Sequence, residues 1–241
     1  KKYSKVFFSG NFIVGFPNET FGEMMDSYEF AKSLNWDWAS FYVCQPLVGT
    51  EMFSIFRELG DDRVDSQRTQ KALNPGRLKQ RGEFNAQFDT GEDTALLTGK
   101  DIFNLPGDQV PSLEQLNEIW FTFNLDINFL NNPNFKTEGN LEKISRWFES
   151  IYAGYPFDAS MAAALAKSYK LMNKQERSIH YKNRFHEILK ESGYWQNRVK
   201  EFPEILNAKH ASGLGKSFDI IESHTPGNVQ PFLDYQDWLN Q

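Results

Sequence analysis

The sequence predicts an α/β plus α protein, a parallel βαβ unit at the start followed by a helical domain. Three observations carry this. Val6 to Val14 is a run of β-branched and aromatic residues ending at Gly15, and Trp38 to Cys44 is a second, nearly continuous apolar run of strand length. Between them Phe21, Met24, Tyr28, Ala31 and Leu34 recur at helical spacing. From about residue 112 to about residue 207 the apolar period is helical. Continuous apolar strands joined by a helix are what a parallel sheet covered by helices requires.

The elements follow in order. Thr20 and Glu23 form a T-x-x-E capping box, so the first helix is expected over residues 20–34. A second helix from Thr50 to Leu59 closes on Gly60. Residues 61–111 turn polar, hold several Gly and Pro and lose periodicity, and read as an irregular linker or wrapping segment. Ser112 and Gln115 repeat the capping box ahead of a long helix faced by Leu113, Leu116, Trp120, Phe123, Ile127 and Leu130. Within it Phe121 to Phe129 alternates aromatic and polar residues, which fits a strand or a mixed helix face, and Glu114, Glu118 and Asp126 are expected to be solvated. Asn140 to Ala153 is a further amphipathic helix that stops at Gly154 and Pro156. Asp158 caps an Ala-rich helix running to Met172, and a helix from Gln175 to Ser192 completes a pair like one tetratricopeptide-type hairpin. Without internal self-similarity it reads as part of a helical bundle. The expected divisions are therefore 1–60, 61–111, 112–207 and an extended tail over 208–241.

Composition narrows the function. The net charge of −6 makes the electrostatic term of nucleic-acid binding repulsive, and no basic stripe offsets it. A single cysteine makes neither an internal disulfide nor, alone, a cysteine-based zinc or iron–sulfur site, so a reducing, cytoplasmic setting is expected. No apolar run reaches the length of a membrane span and the first residues lack a signal-peptide pattern, so neither a span nor a signal peptide is expected. The start at Lys1, almost directly on a strand, fits a piece of a longer protein.

The Gly15-Phe16-Pro17-Asn18-Glu19-Thr20 turn lies at the carboxyl end of a parallel strand, with backbone amides and a helix N-terminus beside it. That is where α/β proteins place anionic or nucleotide ligands. In the plainer reading Gly15 and Pro17 shape the turn and Glu19 favours the helix dipole.

Ile13, Gly15, Pro17, Glu19 and Thr20 match an I-x-G-x-P-x-E-T-like segment, and Pro46, Gly49 and Thr50 match P-x-x-G-T after the next strand. In these residues the chain resembles the fifth and sixth strands of radical S-adenosylmethionine (SAM) enzymes, in particular the cobalamin (B12)-domain-containing, magnesium-protoporphyrin IX monomethyl ester cyclase-like group. The resemblance covers residues 6–56. It implies the last strands of a partial (β/α) barrel followed by a C-terminal helical domain. It also implies a parent with SAM, a [4Fe–4S] cluster and cobalamin, catalysing methyl transfer or oxidative cyclisation of a small-molecule substrate through a 5′-deoxyadenosyl radical. By the same resemblance Ile13 packs against the adenine of SAM, with Gly15 and Glu19 in the same turn and Gln45, Pro46 and Leu47 as further cofactor neighbours. The three cluster cysteines, the SAM amino-group site and the ribose strand precede this region in the family and have no counterpart here. No catalytic or metal residue is assigned, and the fragment alone is expected to be inactive. Its partners would be the N-terminal barrel half and the B12 domain.

The remaining candidates are plain. Cys44 on a predicted buried strand reads as a small core residue. His180 and His186 are six apart, on different helix faces, which disfavours a shared metal. A rival reading from another class is a non-catalytic helical protein-interaction module over residues 112–202. It requires an open groove lined by Trp120, Trp147, Tyr169 and Trp195.

Overall fold

The structure, a computed structural model, describes residues 6–64, 105–136 and 139–201. The expectations for the tail over 208–241 and for most of the 61–111 segment fall outside these residues. Strand β1 (Ser9–Val14) pairs in parallel with β2 (Trp38–Val43), with Ser9 opposite Trp38 and Val14 opposite Val43. Pairing begins later than Val6 because Asp37 holds the preceding stretch. Its carboxylate accepts from Phe8 N at 2.9 Å, while the Phe8 carbonyl accepts from Asp37 N and Trp38 N.

Helix α1 (Phe21–Ser33) crosses between the strands, and Thr20 and Glu23 form the expected capping box. Its first amides are taken by the returning chain: Phe21 N donates to Gln109 O and Gly22 N to Gly107 O, both at 2.8 Å. A Cβ at position 22 would lie 2.9 Å from Gly107 O, so glycine permits this close approach. Helix α2 (Glu51–Glu58) is capped by the Thr50 hydroxyl.

The long helix is α3 (Leu113–Leu125), capped by Ser112 and Gln115 as expected. It loosens into a wide π-helical turn over Asp126–Leu130, so the alternating aromatic stretch is a helix face rather than a strand. Helices α4 (Leu141–Gly154), α5 (Ala159–Leu171) and α6 (Gln175–Glu191) lie where the sequence placed them. A further short helix, α7 (Gly193–Glu201), follows directly and was not expected.

Helix α3 serves two cores. Leu116, Ile119 and Phe123 pack with Val14, Met24 and Phe41 under the sheet. Phe121 and Leu125 join the helical core around Phe148, Leu165 and Trp195, which also takes in Trp38 from β2. The solvated acids expected on α3 are not solvated. Glu118 is buried and bonded at both oxygens to the Arg198 guanidinium, and Asp126 is buried, accepting from Tyr28 Oη and, at 2.6 Å, from Asn131 Nδ2. Periodicity alone marks them polar, whereas Arg198 and Tyr28 come from helices far away in sequence. The side chain of Glu114 lies outside the description. Among the described residues no helix is long and apolar enough to cross a membrane.

Candidate functional site

The two edges of the sheet differ. On the outer edge of β2, three asparagines at four-residue spacing along α3 and its continuation stand in for a third strand. Asn124 accepts from Phe41 N at 3.0 Å and donates to Phe41 O at 3.1 Å. Asn128 accepts from Ala39 N at 2.8 Å and donates to Ala39 O at 2.7 Å, and Asn132 donates to Asp37 O at 2.9 Å. The Asp37 carbonyl and the backbone groups of Ala39 and Phe41 stand at alternate positions on the side away from β1, so the asparagine amides follow the period of a strand. The outer edge of β1, formed by Ser9, Asn11 and Ile13, faces no strand among the described residues, and all three are exposed.

At the carboxyl ends of the strands the turn closes on itself. Gly15 has φ +80°, a conformation that favours glycine, and a Cβ there would also press on Leu116 at 3.1 Å. The Glu19 carboxylate accepts from Gly15 N at 2.5 Å and Phe16 N at 2.9 Å. Burial pushes the Glu19 carboxyl above its usual range, against the lowering effect of those two amides. Arg63 ties the strand ends together, donating from one nitrogen to Gly15 O at 2.8 Å and Cys44 O at 3.2 Å, while Asp61 holds the rest of the guanidinium over the Phe56 ring. The amides and helix start that the sequence offered to an anionic ligand are thus occupied by the protein's own groups. Arg63 lay in the stretch read as linker, and no local pattern marks it.

The two faces of the sheet differ in how far the described residues cover them. Phe12, Val14, Ala39 and Phe41 face α1 and α3. On the opposite face Trp38 is covered by the helical core, 6.0 Å from the Phe148 ring. Further along this face Ile13 is 48% and Tyr42 42% exposed. The predicted site residues collect at this upper end. Ile13 stands on this second face, Gly15 and Glu19 form the turn beside it, and Gln45 to Leu47 follow Cys44, whose amide donates to Val14 O at 2.8 Å. Gln45 and Leu47 are exposed, whereas Pro46 is buried.

An exposed apolar side chain on a strand end fits a flat cofactor ring such as adenine. The residues do not fit an iron–sulfur cluster. The lone Cys44 is buried with its thiol pKa pushed up by burial, and no group of three His, Cys, Asp or Glu able to hold a metal occurs among the described residues. No residue is assigned to cobalamin. Of the four rings that the interaction-module reading places along a groove, Tyr169 and Trp195 are buried, and Trp120 and Trp147 are partly buried against the helical core. Comparisons with family models, with curated proteins and with solved structures gave no match.

Proposed function

We propose that this chain is the C-terminal part of a radical SAM enzyme, in which β1 and β2 are the last two barrel strands and Ile13 carries the adenine of SAM. The observation that supports it is the asymmetry of the sheet. The edge of β2 is closed by Asn124, Asn128 and Asn132, as a final strand requires, while the edge of β1 faces no strand among the described residues and is where preceding strands would be added. An isolated two-stranded sheet has little stability of its own, which fits a missing neighbour. Ile13 offers the apolar surface, Gln45 and Leu47 flank it, and Gly15 with Glu19 fixes the turn that sets its height. SAM, when bound, supplies the radical chemistry of the class. The cluster ligands, and any cobalamin site, belong to the N-terminal barrel half and the B12 domain of the parent. The reaction is methyl transfer or oxidative cyclisation of a small molecule in the cytoplasm, with the helical domain walling the substrate cavity.

The test uses the parent polypeptide that carries this chain. It is expressed without oxygen, supplied with iron and sulfide, and assayed for conversion of SAM to 5′-deoxyadenosine. Conversion that falls at least tenfold in Ile13→Asp, with the cluster spectrum retained, is the expected result. A parent without a three-cysteine motif upstream overturns the proposal.

A further inference from the structure

Away from the sheet, three helices of the helical domain bring two phenols onto one carboxylate. Glu149 of α4 accepts from Tyr181 Oη of α6 at 3.1 Å, and the Tyr169 hydroxyl of α5 is hydrogen-bonded to the same side chain. Arg177 of α6 donates to Tyr169 Oη at 2.7 Å and to Glu149 Oε1 at 3.2 Å. The Tyr169 and Tyr181 rings lie 8° from parallel with centres 5.7 Å apart, an offset stack, and Tyr169 is 2% exposed. A third tyrosine, Tyr152 of α4, meets Tyr181 edge-on at 5.6 Å. Its hydroxyl accepts from Arg184 Nε at 3.4 Å and has no carboxylate on it among the described residues.

A carboxylate in contact with two stacked phenols is a proton acceptor placed where phenol oxidation needs one. Acid–base exchange within the group is disfavoured, because burial and the Glu149 charge push the Tyr169 phenol up to about 12 and push the Tyr181 phenol up as well. Loss of an electron reverses this, since an oxidised phenol is a strong acid. Oxidation without proton loss would also leave a positive ring close to Arg177 and Lys174, which lie 5.0 and 6.0 Å from the Tyr169 ring centre. Glu149 removes that obstacle by taking the proton along a hydrogen bond already made.

We propose that Tyr181 and Tyr169 form a one-electron redox pair with Glu149 as their shared proton acceptor, so that the helical domain takes up the oxidising equivalent of a metal-complex or peroxyl-type oxidant. The oxidant gains one electron from the Tyr181 ring, the Tyr181 O–H bond breaks, and the proton forms an O–H bond on Glu149. A neutral phenoxyl radical and a carboxylic acid result. The group gains one positive charge, left on Arg177, whose side chain is 58% exposed to water. The radical passes to the buried Tyr169 when an electron crosses the stack, Glu149 returns its proton to Tyr181 and takes that of Tyr169. None of this depends on the reading of Ile13.

The test is flash photolysis of the 241-residue chain with ruthenium tris-bipyridine and an electron acceptor, which generates a ruthenium(III) oxidant. Phenoxyl radical is followed by its absorption band and by electron paramagnetic resonance. Radical is expected on this pair among the nine tyrosines of the chain, and its formation is expected to slow in D2O, a readout on the unchanged protein that needs no variant to fold. Glu149→Gln, which keeps an acceptor of hydrogen bonds but loses the carboxylate, should slow it at least about tenfold, a conservative bound on what a positioned proton acceptor contributes. Tyr181→Phe with Tyr169→Phe should remove most of the signal, and Tyr152→Phe should leave the rate within about twofold, because Tyr152 is not placed to give its proton to Glu149. A signal that survives the double Phe change overturns the pair. A rate indifferent to both Glu149→Gln and D2O overturns Glu149 as the acceptor. A loss in Tyr152→Phe as large as in the double change moves the site off the shared carboxylate and overturns the proposal as well.

Discussion

Two buried charges show how single residues set the stability of the helical half. The Arg198 guanidinium is paired with Glu118 and lies 4.2 Å over the Phe121 ring, so removing the acid alone strands a cation in an apolar site. Glu118→Ala should cost about 3–5 kcal/mol by urea denaturation, while the double change Glu118→Met with Arg198→Met should recover most of that loss. Lys167 is the opposite case. Its amine sits 4.5 Å over the Phe135 ring, and burial pushes its pKa down to about 8. The folded protein therefore binds fewer protons than the unfolded chain between pH 8 and the usual lysine value of 10.5, so this residue's contribution to stability rises with pH across that window. Lys167→Met is expected to stabilise the protein at pH 7 by on the order of 1 kcal/mol and to flatten that rise, as thermal melts at pH 7, 8, 9 and 10 would show. A Lys167→Met protein that keeps the same slope would place the titration elsewhere.

At the scale of elements, what was legible in the sequence divides by the distance between partners. Both capping boxes, Thr20 with Glu23 and Ser112 with Gln115, were visible because each is complete within four residues, and most helix boundaries follow from such caps and from apolar spacing. The clustering of Ile13, Gly15, Glu19, Gln45 and Leu47 was likewise legible, since one βαβ unit brings two strand ends together. The asparagine ladder was not. Asn124 and Asn128 read as polar positions on an amphipathic helix, and nothing local says that their amides meet backbone 83 and 89 residues earlier. The short α7 escaped for a related reason: its buried Trp195 and Arg198 are held by tertiary partners rather than by a strong apolar period of its own. The ladder also makes a sharp prediction. Asn128→Leu keeps the volume roughly similar but leaves Ala39 N and Ala39 O buried without partners, and should destabilise by at least about 2 kcal/mol. Asn11→Leu, on the exposed edge of β1, should stay within about 0.5 kcal/mol, since it breaks no such bond. Comparable losses at the two positions would mean that the amides of α3 merely lie near the strand.

For the whole molecule, the consequence of this construction is that the sheet can grow in one direction only. α3 covers the β2 edge with side-chain amides, and the two cores on either side of α3 make that cover part of the folded body. Among the described residues the β1 edge has no covering helix, Ser9, Asn11 and Ile13 carry no charge, and apolar surface continues beside it at Val6, Phe8 and Phe30. Phe30 in particular touches Phe12, at 6.3 Å between rings, yet remains 59% exposed, so the apolar layer between α1 and the sheet runs on past the last paired strand. Such an edge accepts whichever extended segment reaches it. In a parent enzyme that segment would be the neighbouring strand; in the chain alone it would be another copy. The isolated chain is therefore expected to associate as its concentration rises, and Ser9→Lys combined with Asn11→Lys should suppress this, because strand-edge lysines oppose pairing without touching the β1–β2 ladder. Light scattering over a dilution series decides it. Association that is unchanged by the two lysines would move the contact to another surface and remove the open edge as the support for a missing strand.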